Sequence, residues 1–261
     1  MATYFENMFP EDLYQLDNSE NDTAVLPVGA IEQHGPHLLL GCDSYIALGM
    51  SECISELTGA VVFPLVSYSW IGGLRVWPGT VDLRPQKAGQ YLEEICMGIV
   101  NMGFKRLVIL CCHGGAREMA FLTASRVMKR TGIPVLAVFP TRLGIKEETA
   151  KILEKYEVRV KGKNCEGSLM LGGMRKIGRQ DLVDKVLEIA KETALEFENS
   201  SRDFKIDSLK NVMKISEVGH DYIGETQHVF PVASINPDAG MEILEISAEV
   251  IASALEKMKM I

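Results

Sequence analysis

Short apolar segments alternate with amphipathic ones along this chain, and this alternation restricts the fold more than any other feature. Four segments are short, rich in β-branched residues and bounded by glycine or proline, as buried strands are: Thr23–Ala30, Ala60–Val66, Arg106–Cys112 and Ile133–Phe139. Strand–helix–strand repetition requires right-handed crossovers and covers both faces of the sheet with helices. We therefore predict an α/β fold with a mostly parallel central sheet.

Helical patterns occupy the intervening and following segments. The apolar spacing predicts helices over Asp43–Leu57, Pro85–Met102, Ala116–Arg130, Glu166–Lys176, Gln180–Asn199 and Met241–Lys259. Gly103 and Gly132 follow the second and third of these, where glycine commonly ends a helix. The 261 residues contain no internal repeat, low-complexity tract or Pro/Ser-rich linker, so we predict one domain over residues 1–261.

Composition excludes some classes of partner. The formal net charge of −8 argues against a nucleic-acid groove or an anionic membrane surface, because either requires a basic patch. No apolar run approaches the roughly 18 residues of a membrane-spanning helix, and the acidic N-terminal stretch does not resemble a targeting segment. The six cysteines are too few and too irregularly spaced for a disulfide scaffold, so we expect reduced thiols and a cytoplasmic location.

The stretch "VGAIEQHGPHLLLGCD" places acids and histidines directly after the first predicted strand. Glu32 and His34 are two residues apart, so in extended backbone their side chains face the same side and could converge on one ion. Asp43 opens a helix, and its carboxylate either joins that group or caps the helix. His37 either orients a metal-binding side chain or carboxylate through a hydrogen bond, or is an ordinary loop residue.

A third histidine follows another predicted strand. In "LCCHGGAREMA", His113 precedes Gly114 and Gly115, which allow the backbone to approach a ligand closely. Because ligands bind at the carboxyl ends of parallel strands, His113 is predicted at the same sheet edge as Glu32 and His34. Glu166 lies at the front of a helix, as a functional carboxylate or as an acid favoured by the helix dipole. No spacing selects a catalytic cysteine.

These segments carry a resemblance to a known family. "LPVGAIEQHGPHLLLGCD" closely resembles the opening motif of the creatininase (creatinine amidohydrolase) family, with the spacing from Glu32 through His34 to Asp43 unbroken. "CHGGA" resembles the family's histidine–glycine stretch, "WPGTVDL" its Pro-Gly-Thr loop and "CEGSLML" the stretch that carries its glutamate. "INPDAGMEIL" is loosely similar to the segment before the last family helix, so the resemblance covers most of the chain.

The resemblance implies a three-layer α/β/α sandwich and a hydrolase site with two divalent metal ions per subunit. It implies these metal ligands, with Asp43 bridging: Glu32, His34, Asp43, His113 and Glu166. Glu166 and His113 are also the candidates for catalytic roles. Carboxylates and imidazoles at a strand edge suit Zn²⁺, Mn²⁺ or Fe²⁺. The family resemblance further implies a homo-oligomer, commonly a hexamer.

The chain departs from the family pattern near the expected substrate. Lys161 stands where the family often has a histidine thought to carry a proton, so the general acid stays open. Arg75 and Trp77 occupy the loop before the Pro-Gly-Thr turn. Our hypothesis is that Arg75 contacts a polar or anionic substrate group, that Trp77 shields the site and that Gly114 and Gly115 line it. The alternative is a packed tryptophan beside a solvated arginine.

The predicted function is a metal-dependent hydrolase in which activated hydroxide attacks a small, polar and cyclic substrate. Cleavage of an amide or formamide C–N bond is the first candidate reaction. A C–C hydrolase that opens a cyclic ketone such as a keto-inositol is the second. A non-catalytic metal- or ligand-binding protein on the same scaffold is the third. The expected partner is a small molecule, with no nucleic acid and no membrane.

Overall fold

The computed structural model describes seven stretches of the chain: residues 1–14, 22–35, 37–72, 79–140, 145–158, 164–199 and 234–259. Arg75, Trp77 and Lys161, which the sequence singles out, lie outside these residues.

The described strands form one parallel sheet. They are β1 (Thr3–Tyr4), β2 (Thr23–Val28), β3 (Val61–Val62), β4 (Arg106–Cys111) and β5 (Val135–Val138). Their order is β1-β3-β2-β4-β5, and each neighbouring pair is parallel. The predicted parallel sheet is therefore confirmed. The two-residue strand β1 was not predicted, because so short a segment has no measurable periodicity.

All four predicted strands are shorter in the structure, and proline explains the two largest differences. β3 stops before Pro64, which has no N–H to donate to the ladder. Pairing then resumes as a single parallel bridge between Val66 and Val28. β5 begins only after Pro134, again because proline cannot contribute a ladder hydrogen bond.

Helices surround the sheet. After a short 3₁₀ turn (Phe5–Asn7) the described helices are α1 (Pro10–Leu13), α2 (Cys42–Thr58), α3 (Pro85–Asn101), α4 (Arg117–Thr131), α5 (Lys146–Lys155), α6 (Asn164–Lys176), α7 (Gln180–Asn199) and α8 (Pro237–Met258). Neither α1 nor α5 was predicted. Helix α8 begins at Pro237 rather than at Met241, because the Asn236 side chain accepts hydrogen bonds from Asp238 N and Ala239 N. No described helix is long and apolar enough to cross a membrane.

Alternate residues of the central strands point into separate cores on the two faces of the sheet. On one face Val25 and Leu110 pack with the buried sides of α2, α6 and α8. On the other face Leu26 and Ile109 pack with α3 and α4. Because each strand is buried on both faces, it reads as a continuous apolar run. The result is the three-layer α/β/α sandwich that was predicted.

Glycines allow three helices on the first face to approach very closely. A Cβ atom added to Gly49 of α2 would overlap Gly173 of α6, and one added to Gly240 of α8 would overlap the carbonyl group of Ser168 in α6. Helix α6 is thereby held against both α2 and α8. This packing determines where the first turn of α6, which carries Glu166, lies relative to α2.

We predict that Gly49→Ala lowers the free energy of unfolding by about 1–3 kcal/mol, because overpacking a tight contact forces the backbones apart. Urea denaturation would measure the change. Gly98→Ala in α3 is the matched control, since a Cβ atom there meets nothing within 4 Å. The control should be neutral or stabilising by about 0.5–1 kcal/mol. Equal effects of the two substitutions would contradict the close-packing explanation.

Candidate metal centre

The sheet brings the first two candidate segments together. Val28, the last residue of β2, is paired with Cys111, the last residue of β4. The pairing continues beyond the strands, where Cys112 N donates to Val28 O at 2.9 Å. The chain that follows β2 carries Glu32 and His34, and the chain that follows β4 carries His113. The prediction that these segments share one edge of the sheet is confirmed.

Helix α2 supplies the third side chain. Gly41 is the N-cap residue of α2 and makes no side-chain cap, and Asp43 lies inside the first turn. The alternative in which Asp43 caps the helix is therefore wrong. The Asp43 carboxylate is almost completely buried and faces His113, with Nδ1 of His113 at 3.0 Å from Asp43 Oδ2.

The five residues meet around two histidine nitrogens. Nε2 of His34 lies 3.6 Å from Glu32 Oε2, 3.7 Å from Asp43 Oδ2 and 3.6 Å from Glu166 Oε1. Nδ1 of His113 lies 3.4 Å from Glu32 Oε2 and 3.0 Å from Asp43 Oδ2. Two donor groups result, Glu32–Asp43–His113 and His34–Asp43–Glu166, each with ligand atoms within 4.8 Å of one another. Asp43 belongs to both groups.

A backbone contact orients the His34 ring. Nδ1 of His34 lies 3.0 Å from the carbonyl oxygen of Glu32. Because a carbonyl oxygen can only accept, Nδ1 carries a proton and donates it. In the neutral imidazole the lone pair is then on Nε2, which faces the three carboxylates. Metal-binding histidines commonly show this arrangement, with the second ring nitrogen donating to a backbone carbonyl or a carboxylate.

His113 is held from the other side by glycine. A Cβ atom on Gly115 would lie 2.6 Å from Nε2 of His113 and 2.7 Å from the carbonyl oxygen of Ile71. Nε2 of His113 is buried and makes no hydrogen bond within the described residues. The ring is thus packed against Gly115 while Nδ1 faces Asp43 and Glu32.

The cluster carries an excess of negative charge. Three carboxylates face two imidazoles, so one negative charge remains even when both histidines are protonated. Glu32, His34, Asp43 and His113 are buried, and the Glu166 side chain is 26% exposed. Buried charge without compensation is costly, so this donor set favours a cation. Carboxylate and imidazole ligands fit a divalent transition metal.

The pKa values reflect the same electrostatics. Burial alone would raise the pKa of Asp43, but the charge of His34 and the hydrogen bond from His113 outweigh it and hold the pKa far below its usual range. Burial alone would lower the pKa of His34, but the charge of Asp43 outweighs it and raises the pKa well above 6.5. Burial alone would also lower the pKa of His113, but the hydrogen bond with Asp43 and the charge of Asp43 outweigh burial and raise the pKa above 6.5. Without another cation, these raised pKa values favour the protonated form of both histidines.

His37 and Gly114 are the site candidates among the described residues whose surroundings have not yet been given. His37 is buried, and burial lowers its pKa to about 4, so it is neutral at pH 7. Gly114 is exposed at the start of the loop between His113 and α4. The roles proposed for His37, Gly114 and Gly115 stay predictions.

The thiols near the cluster are poorly suited to nucleophilic catalysis. All six cysteines are free. Burial raises the pKa of Cys111 to about 12 and that of Cys165 to about 11. Because the thiolate is the nucleophile, such thiols react only slowly at neutral pH, which supports treating the cysteines as small side chains without a catalytic role.

Sequence reasoning missed the hydroxyl groups that hold the site together. The Ser44 hydroxyl donates to Ala30 O at 2.9 Å and so ties α2, next to Asp43, to the segment that carries Glu32 and His34. Gln33 N donates to the Thr80 hydroxyl at 3.2 Å. The neighbouring Val81 N donates to Ile31 O at 2.9 Å. Sequence adjacency of Ser44 to Asp43 is the only signal that points to the first contact.

With the geometry established, comparison with known proteins identifies the family. The sequence matches the family model described as Creatininase, creatinine amidohydrolase, over residues 6–211. The chain belongs to the creatininase family. The members of this family are hydrolases, and the predicted resemblance is confirmed.

Curated relatives of this creatininase-family chain match part of it. A 3-dehydro-scyllo-inosose hydrolase from Thermotoga maritima is 29% identical over 114 residues, which are 43% of this chain and 36% of that protein. Creatinine amidohydrolase from Pseudomonas putida is 31% identical over 94 residues, 34% of this chain and 36% of that protein. A mycofactocin precursor peptide peptidase from Mycolicibacterium smegmatis is 35% identical over 100 residues, 36% of this chain and 40% of that protein. The matched part spans well under half of each relative.

Solved structures share the complete fold. A mutant creatininase of the Zn-Zn type superposes with a TM-score of 0.74 at 18% identity, covering 98% of both chains. A creatininase described as the Mn form superposes with a TM-score of 0.70 at 20% identity, again covering 98% of both chains. At this level of sequence identity, the structural similarity shows that the chain has the creatininase fold.

The Ser44 contact leads to a prediction. We expect Ser44→Ala to weaken divalent-metal binding by about tenfold at most, because this contact fixes the backbone beside the donor residues without touching their side chains. Competition with a chromogenic chelator would measure the affinity. Ser247→Ala is the matched control, since this buried hydroxyl donates to Ile243 O at 2.7 Å within α8 and away from the cluster. Equal metal affinities in the two variants would contradict the role of Ser44.

The raised pKa values of His34 and His113 predict that metal binding depends on pH. A metal ligand must be unprotonated, so a divalent cation that binds here has to displace protons from His34 and His113. Metal affinity should therefore fall as pH decreases below the raised pKa values, and binding at pH 7 should release about one or more protons per subunit. Calorimetric titration in buffers of different ionisation enthalpy would count them. Binding without proton release at pH 7 would contradict the assignment.

Proposed function

We propose that this protein is a metal-dependent hydrolase whose five clustered residues hold two divalent metal ions. The observation that carries the proposal is the position of Asp43, which belongs to both donor groups and can bridge two ions. Glu32 and His113 would complete one ion's protein ligands, and His34 and Glu166 those of the other. Family membership supports hydrolysis as the reaction.

The donor set favours Zn²⁺ or Mn²⁺, with Fe²⁺ also compatible. Relatives of this fold are described as Zn-Zn and Mn types, which supports the same choice. Two such ions, when bound, lower the pKa of a bound water and polarise a substrate carbonyl.

The chain's own residues prepare the site for this chemistry. Asp43 and Glu32 supply negative charge from buried positions, and the Ser44 and Thr80 hydroxyls hold the backbone from which the ligands project. Glu166 is the most exposed of the three carboxylates, which supports a role in accepting a proton from water and passing it to a leaving group through the carboxylate oxygen that would not hold an ion. We assign it this catalytic role. His113 keeps Asp43 oriented, and a further catalytic role for it remains a prediction.

We propose a small, polar and cyclic substrate that is cleaved at an amide or formamide C–N bond. The similarity to a creatinine amidohydrolase supports this reaction. The similarity to a 3-dehydro-scyllo-inosose hydrolase supports the second candidate, C–C cleavage of a cyclic ketone. The similarity to a mycofactocin precursor peptide peptidase supports a peptide bond as a third candidate target. A non-catalytic binding protein on the same scaffold is the alternative outside enzymes.

Domain organisation, assembly and location follow from the same family resemblance and composition. We propose a single domain over residues 1–261 that assembles as a homo-oligomer, with a hexamer as the expected state, on the basis of the family resemblance. The six free cysteines support a reducing cytoplasmic environment.

The decisive experiment is elemental analysis of the purified protein beside its Asp43→Ala variant. We expect about two equivalents of transition metal per subunit in the wild type and a large loss in the variant, because removal of a bridging ligand affects both ions. Asp184→Ala, on the surface of α7, is the matched control and should keep its metal. A wild-type protein that takes up no Zn²⁺ or Mn²⁺ would refute the metallohydrolase proposal.

Substrate class can then be tested with the metal-loaded enzyme. Cyclic amides, keto-inositols and short peptides would be incubated separately, and new amines or ring-opened acids identified by mass spectrometry. Products from the amides alone would support C–N cleavage, whereas ring-opened acids from the ketones would support C–C cleavage. A fully loaded protein that converts none of them would favour the binding-protein alternative.

A further inference from the structure

A cavity lies between helices α2, α5, α6 and α8, outside the proposed metal centre. Its volume is about 300 Å³. The inner wall consists of buried core side chains, Met50, Leu153, Leu169 and Ile243. The cavity is therefore a space that reaches into the main hydrophobic core.

Such a space is unfavourable when it stays empty. Core side chains that line a void lose dispersion contacts that they would make in a close-packed interior. Water that enters from the open side does not replace these contacts, so an apolar molecule is favoured against the inner wall. The volume lies at the lower end of the range for small-molecule sites. A small ligand with an apolar body fits these properties.

One side of the cavity is polar and positively charged. Lys146 and Thr149, one turn apart on α5, belong to its lining. The Lys146 side chain makes no ion pair or hydrogen bond with the described residues, in contrast to Lys155 on the same helix, which pairs with Glu242 at 2.7 Å. An unpaired ammonium group at the rim of an apolar cavity complements an anionic head group.

We propose that this cavity binds a small carboxylic acid with an apolar tail, with the tail against Leu169 and Ile243 and the carboxylate at Lys146. The site does not depend on the metal centre, so it can be tested whatever the reaction proves to be. Cys165 provides a reporter, because it is half-buried and lines the cavity from α6.

Octanoate is a suitable probe, and octan-1-ol and acetate separate the contributions of charge and tail. We expect octanoate to bind with one site per subunit in calorimetry and to slow maleimide labelling of Cys165 at least about tenfold, as followed by peptide mass mapping. Labelling of Cys112, which is also half-buried but does not line the cavity, should not change. Acetate should have no effect on either cysteine.

Variants locate the site. Lys146→Gln should weaken octanoate about fivefold, the effect of an exposed charge pair, and leave octan-1-ol unchanged. Lys151→Gln, an exposed lysine on the same helix outside the cavity lining, is the matched control. Ala150→Phe places a ring in the cavity and should abolish binding of both compounds.

Three results would overturn the proposal. Octanoate that binds no more tightly than octan-1-ol would exclude a carboxylate site. Unchanged labelling of Cys165 at saturating octanoate would exclude the cavity in the wild-type protein, independently of how the variants fold. Full octanoate affinity in Ala150→Phe would place the binding elsewhere.

Discussion

The burial of several carboxylates beside two imidazoles is the constraint on which this structure depends. Glu32, Asp43 and Glu166 come from three different segments, and their charge exceeds what His34 and His113 can neutralise. A protein interior tolerates such a group only with compensating positive charge and good hydrogen bonds. The backbone carbonyl of Glu32, which accepts a hydrogen bond from Nδ1 of His34, belongs to that compensation. The excess negative charge destabilises the cluster when no cation is bound, and the same charge makes the cluster suitable for divalent cations.

The helical layer on one face of the sheet determines whether the cluster can be complete. Two of its segments follow paired strands and are placed by ladder hydrogen bonds, but Glu166 arrives on α6, which no strand positions directly. Contact between Gly49 and Gly173, and between Gly240 and Ser168, holds α6 against α2 and α8 at backbone distance. The site therefore depends on the absence of side chains at positions remote from the chemistry. A core substitution in α2 can therefore displace Glu166 without touching any side chain of the cluster.

Much of the fold could be predicted because local signals and the final structure agree. The β-branched runs became β2 and β4, and α3, α4 and α7 lie within a residue of their predicted bounds. Agreement failed where a signal was weak or was misjudged. Pro64 and Pro134 shortened β3 and β5, since their missing N–H groups interrupt the ladder. The predicted start of α8 at Met241 was four residues late, because Asn236 caps the helix and Pro237 occupies its first position. Helix α5 went unpredicted altogether.

For the candidate site, the sequence by itself determined which groups are available and that two of the segments end at one edge of a parallel sheet. It also determined the family, because the motif from Glu32 to Asp43 keeps its spacing. Only the tertiary structure decided that Asp43 turns inward instead of capping α2, and that it is shared by two donor groups. It alone revealed the Ser44 contact and the cavity beside α5. The physical reason is that side-chain direction and helix approach depend on packing between segments distant in the chain, which local sequence patterns do not encode.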